Sequence, residues 1–225
     1  MINRIKLTVI FILGFIKVVS AQKPADSAFL TPHYKKQIES FRKIPVSENQ
    51  VIFIGNSITE VGEWKKLIPD KNILNLGISG DVTLGVINRL HEEILSKPKA
   101  IFVMIGINDL KIGVPISEIT ARQKAIINII TTESPKTKIF MQSTLPVNEK
   151  MLAEIYKRLN NHDISKMNSA LQKLCKKLQV SYIDLWPVMI NKEGQLQQKL
   201  STDGLHLKPN AYLKWVKYLN DQNYL

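Results

Sequence analysis

A single cysteine in 225 residues, Cys175, leaves the chain no intramolecular disulfide, so the fold has to be held by its core. Cys175 sits in LQKLCKKLQV, a helix-like stretch with no paired base nearby, which fits a buried structural thiol rather than a nucleophile. Acidic residues are scarce as well: 19 Asp and Glu against 31 Lys and Arg give a formal charge of +12. The surplus lysines fall in scattered pairs, Lys35-Lys36, Lys65-Lys66 and Lys176-Lys177, without interleaved aromatic residues. That is the pattern of solvated helix faces, and no nucleic-acid partner is expected. A basic surface can still steer anionic sugars, lipids or envelope polymers toward the protein. No set of His, Cys and Asp has metal-ligand spacing, and the glycine-bearing loops lack a phosphate-cradling pattern, so neither a metal nor a cofactor is expected. Repeats and low-complexity tracts are missing too.

Long hydrophobic runs are also absent, with one exception at the amino terminus. Arg4 and Lys6 precede an apolar run from Leu7 to Ile16, and Val19-Ser20-Ala21 supplies a small-residue end. This is the layout of a secretory signal peptide. The run is too short for a membrane span of roughly 20 residues, and no cysteine follows it to carry a lipid. Residues 1–21 are therefore expected to be a signal peptide cleaved near Ala21. Residues 22–225 are expected to form a single domain, exported to a periplasm or beyond the cell, without stable membrane insertion.

Five short segments read as strands: 51–55 (VIFIG), 73–77 (ILNLG), 100–106 (AIFVMIG), 138–143 (KIFMQS) and 180–185 (VSYIDL). Their apolar character is nearly continuous rather than alternating, as in parallel strands covered on both faces. Helical patterns lie between them at 83–95, 117–133, 149–178 with a break near Asn160-Asn161-His162, and 209–220, where Pro209 suits a first turn. One flanking helix is expected near 34–43. Alternation of strand and helix predicts an α/β fold, a three-layer α/β/α sandwich around a central five-stranded parallel sheet with right-handed crossovers.

In such sheets ligands bind beyond the carboxyl ends of the strands. There the chain carries Gly55-Asn56-Ser57, then GISGD, then GIND, then STLPV, and past the fifth strand STDGLHLKPNAY. Taken singly each has an ordinary explanation: Ser57 as a helix cap, Asp81 as the cap of the next helix, Asn108-Asp109 as an Asx turn, His206 as incidental in a turn. Together they bring a hydroxyl, a glycine-rich turn, an amide, an acid and an imidazole to one sheet edge, which are the parts an acyl-transfer site requires.

IFIGNSITE, NLGISGDVT, MIGINDL and STDGLHLKPNAY resemble, in order, the blocks of the SGNH (GDSL-type) hydrolase family, from about Val51 to Tyr212. The resemblance is to its acetylhydrolase and carbohydrate-esterase branches. It implies a flavodoxin-like sandwich and serine esterase activity, with Ser57, Gly80, Asn108 and the pair Asp203 and His206 at the family's positions. Asn56 departs from the family's usual Asp, which is not the nucleophile's acid partner, so the implied chemistry stands and only local bonding changes. A serine hydroxyl needs a base; His206 is the candidate, oriented by Asp203. The oxyanion donors implied are the backbone N–H groups of Ser57 and Gly80 and the side chain of Asn108.

Asp109 is expected to brace the Asn108 loop. His33, His91 and His162 are read as surface or packing residues, and Trp64, Trp186 and Trp215 as core. Loops 110–116 and 144–149 are where specificity is expected. The leading expectation is an exported serine esterase that deacetylates an O-acetylated carbohydrate. A lysophospholipase or other lipid acyl hydrolase, a non-catalytic glycan-binding module and a flavodoxin-like cofactor binder remain as alternatives. Acyl length, the alcohol part of the substrate and the oligomeric state are open.

Overall fold

The structure is a computed structural model that describes residues 29–45, 47–94 and 96–225; the expected signal peptide lies outside them. Its centre is a five-stranded sheet, β1 (Val51–Gly55), β2 (Ile73–Gly77), β3 (Ala100–Met104), β4 (Lys138–Gln142) and β5 (Ser181–Ile183), in the order β2-β1-β3-β4-β5. Every pairing is parallel, so helices must cover both faces. Side chains of β1 and β3 alternate between two cores. Phe53 and Phe102 face one that includes Trp64 and Trp215, while Ile52, Ile54, Ile101 and Val103 face one that includes Val86, Ile126 and Leu171. The first face carries an aromatic ladder: Phe53 and Phe102 stack at 4.8 Å, Phe102 and Phe140 at 4.6 Å, and Trp64 lies on Phe53 at 4.2 Å. Such pairs contribute roughly 0.5–1.5 kcal/mol each beyond the area they bury.

The helices are α1 (Pro32–Phe41), α2 (Ser57–Glu60), α3 (Trp64–Leu67), α4 (Thr83–Glu93), α5 (Ile107–Lys111), α6 (Ile116–Glu133), α7 (Asn161–Leu178), α8 (Trp186–Met189) and α9 (Pro209–Asp221). Three boundaries differ from the sequence reading for physical reasons. β3 stops at Met104 because Gly106, at φ +134, turns the chain into α5. β5 is confined to 181–183, since the Asp184 side chain accepts the Trp186 N–H and starts α8. The pattern 149–178 breaks at Asn160, as expected, with Asn160 capping α7 by accepting the Asp163 N–H at 2.9 Å, but the part before the break is only a 3-10 turn, Glu154–Tyr156. No helix among the described residues is long and apolar enough to cross a membrane. Strand order reverses direction between β1 and β3, and it is there that the chain places Ser57 and Asn108.

Candidate active site

β1 delivers Ser57. Gly55 is needed at its end for close approach: a Cβ there would fall 2.6 Å from the Met104 carbonyl oxygen and nearer still to the Thr59 hydroxyl. The next residue, Asn56, is buried and caps α2 by accepting the Ile58 N–H at 3.0 Å. The cap read from sequence onto Ser57 thus belongs to Asn56, which leaves the Ser57 hydroxyl for other work. Tyr212 of α9 donates to the Ile58 carbonyl at 2.7 Å and pins α2 from the far end of the chain.

The segment after β5 is shaped by its own side chains. Ser201 Oγ donates to the His206 carbonyl and accepts the Gly204 N–H, both at 2.8 Å. Asp203 Oδ1 accepts the N–H groups of Leu205 (3.0 Å) and His206 (2.7 Å), a tight Asx-type turn. Its other oxygen lies 2.6 Å from His206 Nδ1, and His206 Nε2 lies 3.1 Å from Ser57 Oγ. With the proton on Nδ1, His206 donates to Asp203 Oδ2, and Nε2 is left as the acceptor for the serine proton. Burial pushes the Asp203 carboxyl up, but the bonds from the His206 ring and from the His206 and Leu205 backbones outweigh it and hold the group below its ordinary value. It is therefore ionised at neutral pH.

Gly80 has φ +82, with open space where a Cβ would stand, so its glycine is explained by backbone conformation rather than by crowding. Asn108 Nδ2 donates to the carbonyl of Asp81, Gly80's neighbour, at 2.8 Å, which ties the two loops and leaves the amide a second proton to give. Among the described residues the N–H groups of Ser57 and Gly80 reach no protein acceptor. Asp109 does more than brace its own loop. It is fully buried and accepts from the Thr83 N–H (3.0 Å) and hydroxyl (2.5 Å), fastening α5 to the start of α4. The Asp81 cap expected for α4 is a different contact: Asp81 accepts the Val82 N–H and the Arg89 guanidinium.

Sequence reasoning missed Glu60. This carboxylate, one turn past Ser57, accepts the Ser79 N–H at 2.6 Å as well as the Ser79 hydroxyl, Gln37 and His33. It anchors the turn that carries Gly80, yet nothing in the spacing says which loop it would reach. Tyr156, whose ring lies against His206, was missed for the same reason; Lys111, which lies over the Tyr156 ring, falls in the 110–116 segment expected to carry specificity, but its contact was not foreseen. His33 and His91 do find acid partners, Glu60 and Glu133, contributed by segments remote in sequence. Trp64 and Trp215 are core residues, whereas Trp186 is only partly buried. Among the described residues no group of His, Cys, Asp or Glu could hold a metal ion.

A parallel sheet of this order, with an ordered hydroxyl–imidazole–carboxylate chain at its carboxyl edge, has the architecture of an ester hydrolase. The sequence pattern of the GDSL-like Lipase/Acylhydrolase family matches residues 53–214, and the chain belongs to that family of ester-bond hydrolases. Over 181 residues it is 30% identical to platelet-activating factor acetylhydrolase IB subunit alpha2 of Gallus gallus, covering 77% of this chain and 76% of that protein. A solved structure from Streptococcus pneumonia is similar with TM-score 0.79 and 32% identity, over 84% of this chain and 92% of that one. An acetylxylan esterase from Geobacillus stearothermophilus shares the fold, with TM-score 0.62 at 18% identity over 78% of this chain and 94% of that one.

Proposed function

We propose that this hydrolase is an exported serine esterase that removes small acyl groups, acetyl above all, from an O-acetylated carbohydrate. The observation that carries the serine mechanism is the hydrogen-bonded line from Ser57 Oγ through His206 to Asp203, at 3.1 and 2.6 Å. In this reading Ser57 attacks the acyl carbonyl as His206 Nε2 takes its proton. Asp203 steadies the imidazolium, and the N–H groups of Ser57 and Gly80 with the Asn108 amide receive the oxyanion. His206 then protonates the leaving alcohol, and water releases the acyl group by the same path. The acetyl preference draws on the avian relative, an acetylhydrolase by name. The carbohydrate draws on the acetylxylan esterase that shares the fold, and export on the leader-like amino terminus; an exported chain beginning at Gln22, read by mass spectrometry, checks the export.

A lipid acyl hydrolase is the second reading. Large apolar side chains stand exposed on segments that flank the site: Val61 just after α2, Ile112 just after α5, and Ile155 beside Tyr156. Hydrolysis of para-nitrophenyl esters from acetate to octanoate, by the native chain and by Ser57→Ala, decides between them. The expected result is activity greatest on acetate and lost in the variant. A maximum at longer chains moves the assignment to lipids. Activity that survives in Ser57→Ala overturns the serine mechanism, and absence of activity on every ester would leave a glycan-binding module as the better account.

A further inference from the structure

When a serine esterase acylates, the bond from the acyl carbon to the alcohol oxygen breaks, and that oxygen takes the proton held by the imidazolium. The alcohol part of the substrate must therefore lie on the His206 side of Ser57. Tyr156, last residue of the 3-10 turn, presents its ring to His206 edge to face, with centroids 6.1 Å apart at 74°. Lys111, last residue of α5, holds its ammonium 4.6 Å from the centre of the Tyr156 ring. Lys111 also follows Asn108 by three residues on the same short helix, which sets the ammonium one turn from the proposed oxyanion amide.

The charge is available. Among the described residues no carboxylate forms an ion pair with Lys111, and Glu154 of the neighbouring turn is engaged with Lys157 at 3.8 Å. Arg158 lays a second cation, its guanidinium, against Gly113, two residues beyond Lys111, so the same rim is cationic on both segments. We propose that Lys111, seated on Tyr156, makes the alcohol side of this site selective for esters whose alcohol part bears an anionic group, carboxylate or phosphate, and adverse to cationic alcohols. The proposal rests on the serine esterase reading above. Because the alcohol has left before the acyl-enzyme is hydrolysed, the selectivity belongs to acylation and should appear in kcat/KM, mainly through KM.

The test uses para-substituted phenyl acetates bearing carboxylate, phosphate or trimethylammonium, with unsubstituted phenyl acetate as reference, on the full chain and on Lys111→Met and Lys111→Arg. The readout is the anionic-to-cationic ratio of kcat/KM within each protein, compared between proteins, which cancels differences in leaving-group reactivity. The ratio is expected to fall roughly five- to tenfold in Lys111→Met, as for the attraction of the anion and the repulsion of the cation together at about 8 Å under nearly full solvent screening. Lys111→Arg should retain it, and rising salt should shrink it in the native chain. The carboxylate and phosphate arms tell which anion is preferred. Equal ratios in native and Lys111→Met chains, or a native ratio indifferent to salt, overturn the proposal while leaving the esterase intact. Failure of the uncharged ester to be cleaved in a Ser57-dependent way overturns the underlying reading instead.

Discussion

Asp203 and Asp81 each face a nitrogen base, a few residues from opposite sides of the same site, and they titrate in opposite directions. Asp203 and its partner His206 are part-exposed, with 38% and 28% of their side chains accessible, and four hydrogen-bond and charge contributions outweigh a modest burial. Asp81 and Arg89 are sealed, at 0% and 2%, and burial raises the Asp81 carboxyl to about 6 despite the guanidinium beside it. Glu93, also paired with Arg89, is raised to about 7 by the same burial, and one of its oxygens has no partner among the described residues. Arg89 further reaches the Gly55 carbonyl at 3.4 Å, so this inner cluster ties the strand before Ser57 to the turn after Gly80. One acid–base pair stands at the water's edge, where protons can move during a reaction. The other is locked inside, where its charges hold two loops at fixed spacing.

That contrast predicts different consequences for removing a member of each pair. Asp203→Asn should lower kcat by about 10⁴-fold, since the imidazole loses the acceptor that sets its tautomer. Its melting temperature should stay near native, because a part-exposed pair contributes only about 0–1 kcal/mol. A variant that turns over at the native rate, or that melts far below the native chain, would break the comparison at its catalytic end. Arg89→Met should do the reverse, costing about 3–5 kcal/mol in urea denaturation by stranding two buried carboxyls. Native stability in that variant would break the structural end. The smallest effect is on pH dependence. Raised carboxyls bind protons more tightly folded than unfolded, so stability should decline as pH rises from the unfolded value of about 4.3 toward the folded one. For Glu93 that window closes near pH 7. Glu93→Gln should flatten this slope, by at most about 1.4 kcal/mol per pH unit, in melting curves recorded across the window. An unchanged slope would show that Glu93 does not titrate there.

Much of this contrast is invisible in the chain's order. The strands were legible because continuous apolar runs such as Val51–Gly55 signal burial on both faces, and β1 and β2 have the boundaries expected. The five residues singled out at the strand ends were legible through their shared position and the family likeness, and the structure bonds three of them, Ser57, His206 and Asp203, in one line. The four- and five-residue helices α2, α3, α5 and α8 were not, because so short a segment carries no periodicity and is fixed by its caps and neighbours. Nothing in the order of α4, TLGVINRLHEE, sets Arg89 apart. Only the fold reveals that its face of α4 points inward, toward Asp81 and the Gly55 carbonyl.

The bond between Ser57 and His206 spans 149 positions of the chain, and the Tyr212 bond that steadies α2 spans 154. Synthesis runs from the amino terminus, so Ser57, the nucleophile of the proposed mechanism, emerges well before His206, its proposed base, and Tyr212, the tether of its helix. A nascent chain therefore carries the serine through 149 further positions without the imidazole that the proposed mechanism needs to activate it. On that mechanism, emergence of the segment from Asp203 to Tyr212 is the arming step, and a chain truncated before His206 would be left permanently unarmed.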